Sequence, residues 1–231
     1  MPTFTWLLFD ADNTLLDFSK ASKKALWQTY TDFGQACSEA IHDAYKLCNA
    51  RAWTAFEQEQ ITAAQLRIQR FADLFQVLEA EPASPALFSQ RFLENLVLLS
   101  EAYEGVALLL NTLQQNYRLG IITNGLKEVQ RPRLAHLQLD HYFDTIVVSD
   151  EIGSAKPQEA FFQYAFDTLG GAAREEVLVI GDSLHSDILG GQQFGMPTCW
   201  ISHGRVNDTE IVPDFTIPQV HGLREVLESA I

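Results

Sequence analysis

Short apolar stretches that alternate with helix-like segments from Glu104 onward constrain the fold of this chain more than any other feature. Each stretch is apolar at consecutive positions, as expected for a strand that is buried on both faces. Strands of this kind that alternate with helices form a parallel sheet covered by helices on both sides. We therefore expect an α/β fold, a Rossmann-like doubly wound parallel sheet, built from the stretches Trp6–Phe9, YRLGIIT, TIVVSD, EVLVIGD, PTCWIS and Phe215–Ile217.

The segment between the first strand and the remaining strands has a different composition. It is rich in Ala, Gln, Glu, Leu and Phe, and it contains little glycine. Apolar residues recur there at helical spacing, and Pro82 and Pro85 interrupt the pattern. We expect an all-helical domain of about four helices at residues 16–100, inserted into an α/β core formed by residues 1–15 and 101–231.

An excess of acidic residues limits the partners that the chain can bind. Lys and Arg number 16 against 30 Asp and Glu, which gives a formal net charge of −14. Because this charge repels nucleic-acid backbones, we expect no nucleic-acid partner. A small phosphorylated metabolite is not excluded, since one metal ion and one lysine can reverse the field locally.

Two further features concern the compartment. The N-terminus has no signal-peptide pattern, and no apolar stretch approaches the ~20 residues of a membrane span. Cys37, Cys48 and Cys199 are odd in number and lack metal-type spacing, so we interpret them as buried thiols in a reducing compartment. We expect a cytoplasmic protein with no membrane partner, and the sequence does not indicate an oligomeric state.

Polar side chains follow four of the predicted strands at the point where each strand ends. In an open parallel sheet, ligands bind at the carboxyl ends of the strands, which all lie at one edge. The residues found there supply carboxylates, hydroxyls, one amide and one amine: Asp10, Asp12, Thr123, Asn124, Lys156, Asp182, Ser183 and Asp187.

The acidic residues at this edge admit two interpretations, an ordinary acidic turn or a site for a cation. Two carboxylates about 4 Å apart repel each other by roughly 4 kcal/mol at an effective dielectric of 20. That repulsion is large for a domain stable by only ~5–15 kcal/mol. Mg²⁺ would remove it and suits a few carboxylates with water and phosphate oxygens, whereas zinc usually requires His or Cys ligands.

These residue types also suit one chemistry. An aspartate at a strand end can attack phosphorus and form an aspartyl-phosphate intermediate. A second carboxyl group two residues further on can protonate the leaving oxygen and then deprotonate the hydrolytic water. A hydroxyl and a lysine can hold the other phosphoryl oxygens as charge develops.

At this point the sequence resembles the haloacid dehalogenase (HAD) superfamily of hydrolases. The resemblance covers the whole chain, because the helical insertion matches the C1-type cap of that family. It rests on motifs that occur in the expected order: DADNT from Asp10 to Thr14, the Thr123-Asn124 pair, Lys156 before Pro157, and GDSLHSD from Gly181 to Asp187.

The resemblance implies a set of metal and proton-transfer roles. Asp10 would be the nucleophile and a magnesium ligand, and Asp182 would be a direct ligand. Asp12 would be the general acid and base, with its backbone carbonyl also at the metal. Asp187 would act through water or by orienting a neighbouring lysine, and Ser183 would act through water or cap the following helix.

The resemblance also implies how a phosphoryl group is held. Thr123, Asn124 and Lys156 would bind it, with Thr123 and Lys156 taking part in catalysis. The dehalogenases themselves lack an acid at the position of Asp12, so its presence here favours hydrolysis of a phosphate ester.

Three longer stretches are similar to the pyrimidine 5′-nucleotidases, which act on UMP, dUMP and dTMP. They are DxDNTLLDF, TNGxxxVQxxRL and GDSLxSDILGG. A phosphatase for a sugar phosphate or phosphoglycolate, or a phosphomutase, would use the same chemistry. A non-catalytic binding protein would be expected to have lost Asp10, Asp12, Lys156 or Asp182, and none is missing.

Overall fold

The structure is a computed structural model that describes residues 4–229, and these divide into two compact units. The α/β unit joins residues 4–17 to residues 101–229, and the helical unit comprises residues 18–100. The chain leaves the α/β unit after Asp17 and returns to it at Glu101. The backbone N–H of Asp17 donates a hydrogen bond of 3.0 Å to the carbonyl of Glu101, so exit and return are adjacent.

Six parallel strands form a single sheet within the described part of the α/β unit. Their order across the sheet is β3-β2-β1-β4-β5-β6, which puts the first strand at the centre. The strands are β1 Trp6–Phe9, β2 Arg118–Thr123, β3 Thr145–Val148, β4 Val177–Gly181, β5 Thr198–Ile201 and β6 Phe215–Ile217.

The consecutive apolar residues of β1 are explained by burial on both faces of the sheet. Leu7 and Phe9 belong to the hydrophobic core on one face, and Trp6 and Leu8 belong to the core on the other face. Successive side chains of a strand point to opposite faces, so a strand covered on both sides has no position for a polar residue.

Residues 18–100, all of which the structure describes, form four helices: α1 Phe18–Asp32, α2 Glu39–Glu57, α3 Ala63–Leu78 and α4 Pro85–Leu98. Thr62 caps α3 in a capping box with Gln65, and Pro85 occupies the first turn of α4. The ring of Phe71 packs against those of Phe88 and Phe92, with centroid distances of 5.1 Å and 5.2 Å.

Helices cover both faces of the sheet. Leu110 and Leu134 pack in the core with Leu7 and Phe9, and Phe161 packs in the core with Trp6 and Leu8. In the described part of the unit the helices are α5 Val106–Leu113, α6 Lys127–His136, α7 Ser149–Ile152, α8 Glu159–Asp167, α9 Gly190–Gln193 and α10 Leu223–Ser229, with a π-helical turn at Leu184–Leu189. The predicted doubly wound α/β fold with an inserted helical domain is confirmed.

The order of the strands creates a switch point at the centre of the sheet. The chain builds outward from β1 to β2 and β3, and then crosses back to place β4 on the other side of β1. The backbone N–H of Asp10 donates a 2.8 Å hydrogen bond to the carbonyl of Ile180, so the ends of β1 and β4 are in register. Ligands of open α/β sheets bind at such points.

The remaining sequence-based expectations concern cysteines and membranes. Cys48 and Cys199 are buried and Cys37 is half-buried, and all three are free thiols. In the part of the chain that the structure describes, none of the helices is both long enough and apolar enough to cross a membrane.

Candidate active site

A buried lysine lies at the centre of the candidate site, beside the end of β1. Its Nζ donates hydrogen bonds to Asp10 Oδ1 at 2.7 Å, to Asp187 Oδ1 at 2.6 Å and to the carbonyl of Ile122 at 2.7 Å. The side chain of Lys156 is only 1% exposed. Its three donors are therefore matched to three acceptors inside the unit.

The charged groups in this cluster shift one another's pKa values. Burial raises the pKa of Asp10 well above its usual value; the nearby Lys156 opposes that shift, and Asp187, Asp12 and Asp182 add to it. Burial alone would lower the pKa of Lys156, but the carboxylates of Asp10 and Asp187 outweigh it and raise that pKa. One lysine therefore does not compensate all the negative charge that the acids would carry if ionised.

Three carboxylates converge beside this lysine and fit a hard divalent cation. Asp10, Asp182 and Asp187 each offer an oxygen, and these oxygens lie within 4.8 Å of one another. Burial and Asp187 raise the pKa of Asp182 to about 6, although Arg205 and His203 oppose the shift. Oxygen ligands and unrelieved acidic charge are what a magnesium site requires.

Asp182 is held in place by two side chains, one from β5 and one from the loop that follows it. Arg205 Nη2 donates to the backbone carbonyl of Asp182 at 2.6 Å and to its carboxylate Oδ2 at 3.1 Å. Trp200 Nε1 donates to the same carbonyl at 3.0 Å. Arg205 was not recognised as a site residue from the sequence, because nothing in the motif after β4 points to a residue more than twenty positions further on.

The turn after β4 aims Asp187 at the lysine. Ser183 Oγ accepts a 3.1 Å hydrogen bond from the N–H of Ser186, so this hydroxyl caps the π-helical turn. The N–H of Ser183 donates to Asp187 Oδ2 at 3.0 Å. A Cβ atom on Gly181 would collide with the Asp187 carboxylate, so glycine leaves the room that this arrangement needs.

Asp12 lies near the cluster, but its carboxylate is bound to α6 instead. Arg133 Nη2 forms an ion pair with Asp12 Oδ1, and Gln130 Nε2 donates to Asp12 Oδ2 at 2.8 Å. Arg133 Nε donates to Gln130 Oε1 at 3.0 Å, which connects the two partners. Both oxygens of Asp12 thus accept hydrogen bonds from one helix.

Thr123 is the last residue of β2, and Asn124, which follows it, supports the backbone of Lys156. Thr123 is buried, and its Oγ1 accepts a 3.1 Å hydrogen bond from the N–H of Gly125. The amide of Asn124 donates to the carbonyl of Lys156 at 2.9 Å and accepts from its N–H at 2.8 Å. The Asn124 side chain thus fixes the backbone that carries Lys156, while phosphate binding by Thr123 and Asn124 stays a prediction.

Gln130 and Arg133 were not recognised as site residues from the sequence. Their signal was present in the stretch TNGxxxVQxxRL, where they lie three positions apart and therefore on the same side of a helix. That spacing shows that the two side chains are neighbours, but it does not reveal the carboxylate that they contact.

The fold and the site define a class of enzyme. Residues 7–201 match the haloacid dehalogenase-like hydrolase family, and the chain belongs to this family. The predicted superfamily and the assignment as a hydrolase are therefore confirmed.

Two similar proteins carry the name pyrimidine 5′-nucleotidase. The chain is 34% identical to the pyrimidine 5′-nucleotidase YjjG of Escherichia coli over 96% of this chain and 97% of that protein. It is 33% identical to the pyrimidine 5′-nucleotidase PynA of Streptococcus pneumoniae over 99% of this chain and 97% of that protein. Both names describe phosphoric monoester hydrolases, which supports the enzyme class predicted from the motifs.

A solved structure of a relative agrees with the fold. The chain superposes on the HAD-hydrolase YfnB of Bacillus subtilis, described as bound to magnesium, with a TM-score of 0.90 and 34% identity. The match covers 97% of this chain and 99% of YfnB. Together with the acidic cluster, this relative supports a metal-dependent hydrolase.

Proposed function

We propose that this protein is a Mg²⁺-dependent phosphomonoesterase that hydrolyses pyrimidine nucleoside monophosphates such as UMP, dUMP and dTMP through an aspartyl-phosphate intermediate. The observation that carries the proposal is the buried cluster at the switch point, where Asp10 is bound by Lys156 and faces Asp182 and Asp187. A carboxylate held rigidly at the end of a strand can act as a nucleophile with little loss of freedom.

The reaction has two balanced steps. In the first, a carboxylate oxygen of Asp10 attacks phosphorus, the bond from phosphorus to the ester oxygen breaks, and that oxygen takes the proton of the Asp12 carboxyl group. In the second, Asp12 takes a proton from water, and the water oxygen attacks phosphorus. The bond from phosphorus to Asp10 then breaks, which releases inorganic phosphate and restores both aspartates.

The chain's own residues divide the remaining tasks. Lys156 Nζ fixes one oxygen of Asp10, which leaves Oδ2 as the atom that we assign to the attack. We assign the holding of phosphoryl oxygens to Lys156 and Thr123, and Asn124 keeps the backbone of Lys156 in position. Mg²⁺ held by Asp10, Asp182 and the carbonyl of Asp12, with Asp187 beside it, would neutralise the developing charge.

The substrate class is supported by the relatives. Two pyrimidine 5′-nucleotidases align with this chain over nearly its whole length, and the alignments include the helical unit as well as the catalytic motifs. We therefore infer a small phosphorylated metabolite as the partner. A cytoplasmic location stays a prediction that depends on the free thiols.

Phosphate release tests the reaction. The wild-type protein with Mg²⁺ should release phosphate from UMP and from p-nitrophenyl phosphate, and Asp10→Asn should abolish release while circular dichroism stays unchanged. Asp208→Asn, at an exposed aspartate outside the cluster, is the matched control and should retain turnover. Full turnover by Asp10→Asn would overturn the proposal.

A panel of substrates tests the specificity. We expect higher kcat/KM for UMP and dTMP than for phosphoglycolate or glucose phosphates. A preference for either of the latter would keep the chemistry and replace the nucleotide by another phosphorylated metabolite. Formation of an isomeric sugar phosphate without phosphate release would identify a phosphomutase.

A further inference from the structure

We propose that Gln130 and Arg133 act as positioning residues that hold the carboxyl group of Asp12 in place for proton transfer to the leaving oxygen. We call the pair the α6 clamp. The inference rests on the proposed function, because it assigns a role to residues that contact the acid and base of that reaction.

The hydrogen bonds of the clamp fix the direction of each donor. Arg133 Nε donates to Gln130 Oε1, so the amide nitrogen of Gln130 must face Asp12 and donate to it at 2.8 Å. Arg133 Nη2 binds the other oxygen of Asp12. Because the amide orientation is set by Arg133, loss of either residue disturbs the carboxylate of Asp12.

Burial makes this arrangement rigid. Arg133 is 0% exposed and Gln130 is 1% exposed, whereas the Asp12 side chain is 27% exposed. A buried guanidinium without a partner is strongly unfavourable, so Arg133 and the carboxylate that it faces are held together. The clamp thus binds one side of the Asp12 carboxylate and leaves its other side partly exposed to solvent.

The loop after β2 is shaped to admit the clamp. A Cβ atom on Gly125 would collide with the amide of Gln130, so only glycine at this position leaves room for that side chain. Gly125, Gln130 and Arg133 belong to the single stretch TNGxxxVQxxRL: Gln130 and Arg133 contact Asp12, and Gly125 leaves room for Gln130. This accounts for residues of the stretch that the hydrolytic steps do not use directly.

The clamp is compatible with proton transfer in both directions. Each carboxylate oxygen has two lone pairs, and the clamp uses one on each oxygen of Asp12. A second lone pair therefore remains to carry the proton to the leaving oxygen and later to accept one from water. Positioned acid–base groups owe their effect to such fixed geometry.

The dependence of rate on the leaving group separates positioning from a structural role. We would measure kcat/KM for phenyl phosphates that carry substituents of increasing electron withdrawal, using the wild type, Arg133→Met and Gln130→Met. A weakly basic leaving group such as p-nitrophenolate needs little protonation. We therefore expect losses of about 10- to 100-fold for phenyl phosphate and much smaller losses for p-nitrophenyl phosphate.

The control variant comes from the same helix. Arg131 lies two positions before Arg133, is exposed, and pairs with Glu151 through Nε at 2.6 Å. Arg131→Met removes the same charge without touching Asp12, so its leaving-group dependence should equal that of the wild type. Thermal unfolding of each variant reports whether the fold is retained, and Gln130→Met keeps the test available if Arg133→Met does not fold.

A double-mutant cycle completes the test. In an Asp12→Asn background, where the acid is absent, Arg133→Met and Gln130→Met should cause no further loss in kcat/KM. An equal loss in both backgrounds, or a uniform loss across all leaving groups, would overturn the clamp while leaving the proposed function intact. Absence of phosphate release by the wild type would overturn the proposed function itself, and the clamp with it.

Discussion

Lys156 contacts two carboxylates and a backbone carbonyl in the interior of the α/β unit. Its ammonium group is favourable there only because Asp10 and Asp187 offset the loss of hydration. The same contacts keep Asp10 from rotating, so one residue both stabilises the acidic cluster and orients the proposed nucleophile. Stability and catalysis are therefore coupled at this position.

Lys156→Met should destabilise the metal-free protein, because it leaves buried carboxylates without their counter-charge. We expect the free energy of unfolding to fall by about 3 kcal/mol at pH 8, where the lysine is charged in both the folded and unfolded states. Urea denaturation in a chelating buffer measures the change. Lys127→Met, at an exposed position, is the control, and equal stability of the two variants would contradict the prediction.

The raised pKa of Asp182 predicts how the free energy of unfolding depends on pH when no metal is bound. Its pKa is raised to about 6 in the folded protein from 3.8, so the folded state binds the proton more tightly than the unfolded state. This contribution is present below pH 4 and is lost as the pH rises through 6, with a size of about 3 kcal/mol.

Asp182→Asn should therefore be more stable than the wild type at pH 8 in a chelating buffer, and the advantage should shrink toward pH 4. Urea denaturation at a series of pH values measures it. Asp208→Asn, at an exposed position, should show no such trend. An advantage that does not change with pH would show that the gain comes from another source.

At the scale of elements, the end of α6 contains a residue under backbone strain. Gln138 has φ of 55°, in the left-handed region that favours glycine. The N–H of Gln138 donates to the carbonyl of Ala135 at 3.0 Å, and the N–H of Leu139 donates to that of Leu134 at 2.8 Å. These bonds end the helix in a Schellman-type motif, which needs a left-handed residue at this position.

Gln138→Gly should raise the free energy of unfolding by up to about 1 kcal/mol, because glycine adopts this conformation without strain. Gln138→Ala is the matched control and should give no gain, since alanine carries the same Cβ penalty. Thermal or urea denaturation measures the difference, and a gain as large for alanine as for glycine would refute the explanation. Turnover should not change, because Gln138 does not contact the site.

Most elements could be predicted from the sequence because their patterns are local. β1 and β4 are apolar over consecutive residues, and burial on both faces of the sheet requires that pattern. The π-helical turn at Leu184–Leu189 could not be predicted in the same way. Its widened hydrogen bond, from the N–H of Ile188 to the carbonyl of Ser183, leaves no periodic signal in a segment that resembles an ordinary helix.

At the scale of the whole molecule, the site is assembled from residues that are distant in sequence. The location of the site at the carboxyl edge of the sheet could be predicted, since parallel strands bring their carboxyl ends together. The contact between Asp12 and Arg133 could not, because it joins positions 121 residues apart and depends on the direction of two side chains. Arg205 is a second example, since it reaches Asp182 from beyond β5.

Mg²⁺ should stabilise the whole protein, because the folded state assembles a cluster that the unfolded chain lacks. At a concentration ten times its Kd, the ion should raise the free energy of unfolding by about 1.4 kcal/mol. Thermal unfolding with MgCl₂, against NaCl at equal ionic strength, measures the effect. Asp182→Asn should reduce the response, and an equal shift with both salts would show that the ion binds without specificity.

The hydrogen bond between Asp17 and Glu101 has a consequence for how such proteins diversify. Because the chain departs and returns at adjacent backbone positions, the length and content of the intervening segment place little demand on the sheet. A new insert needs only ends that meet at this point. The helical unit can therefore be replaced by a different insert between the same two backbone positions, while the α/β unit and its acidic cluster are retained.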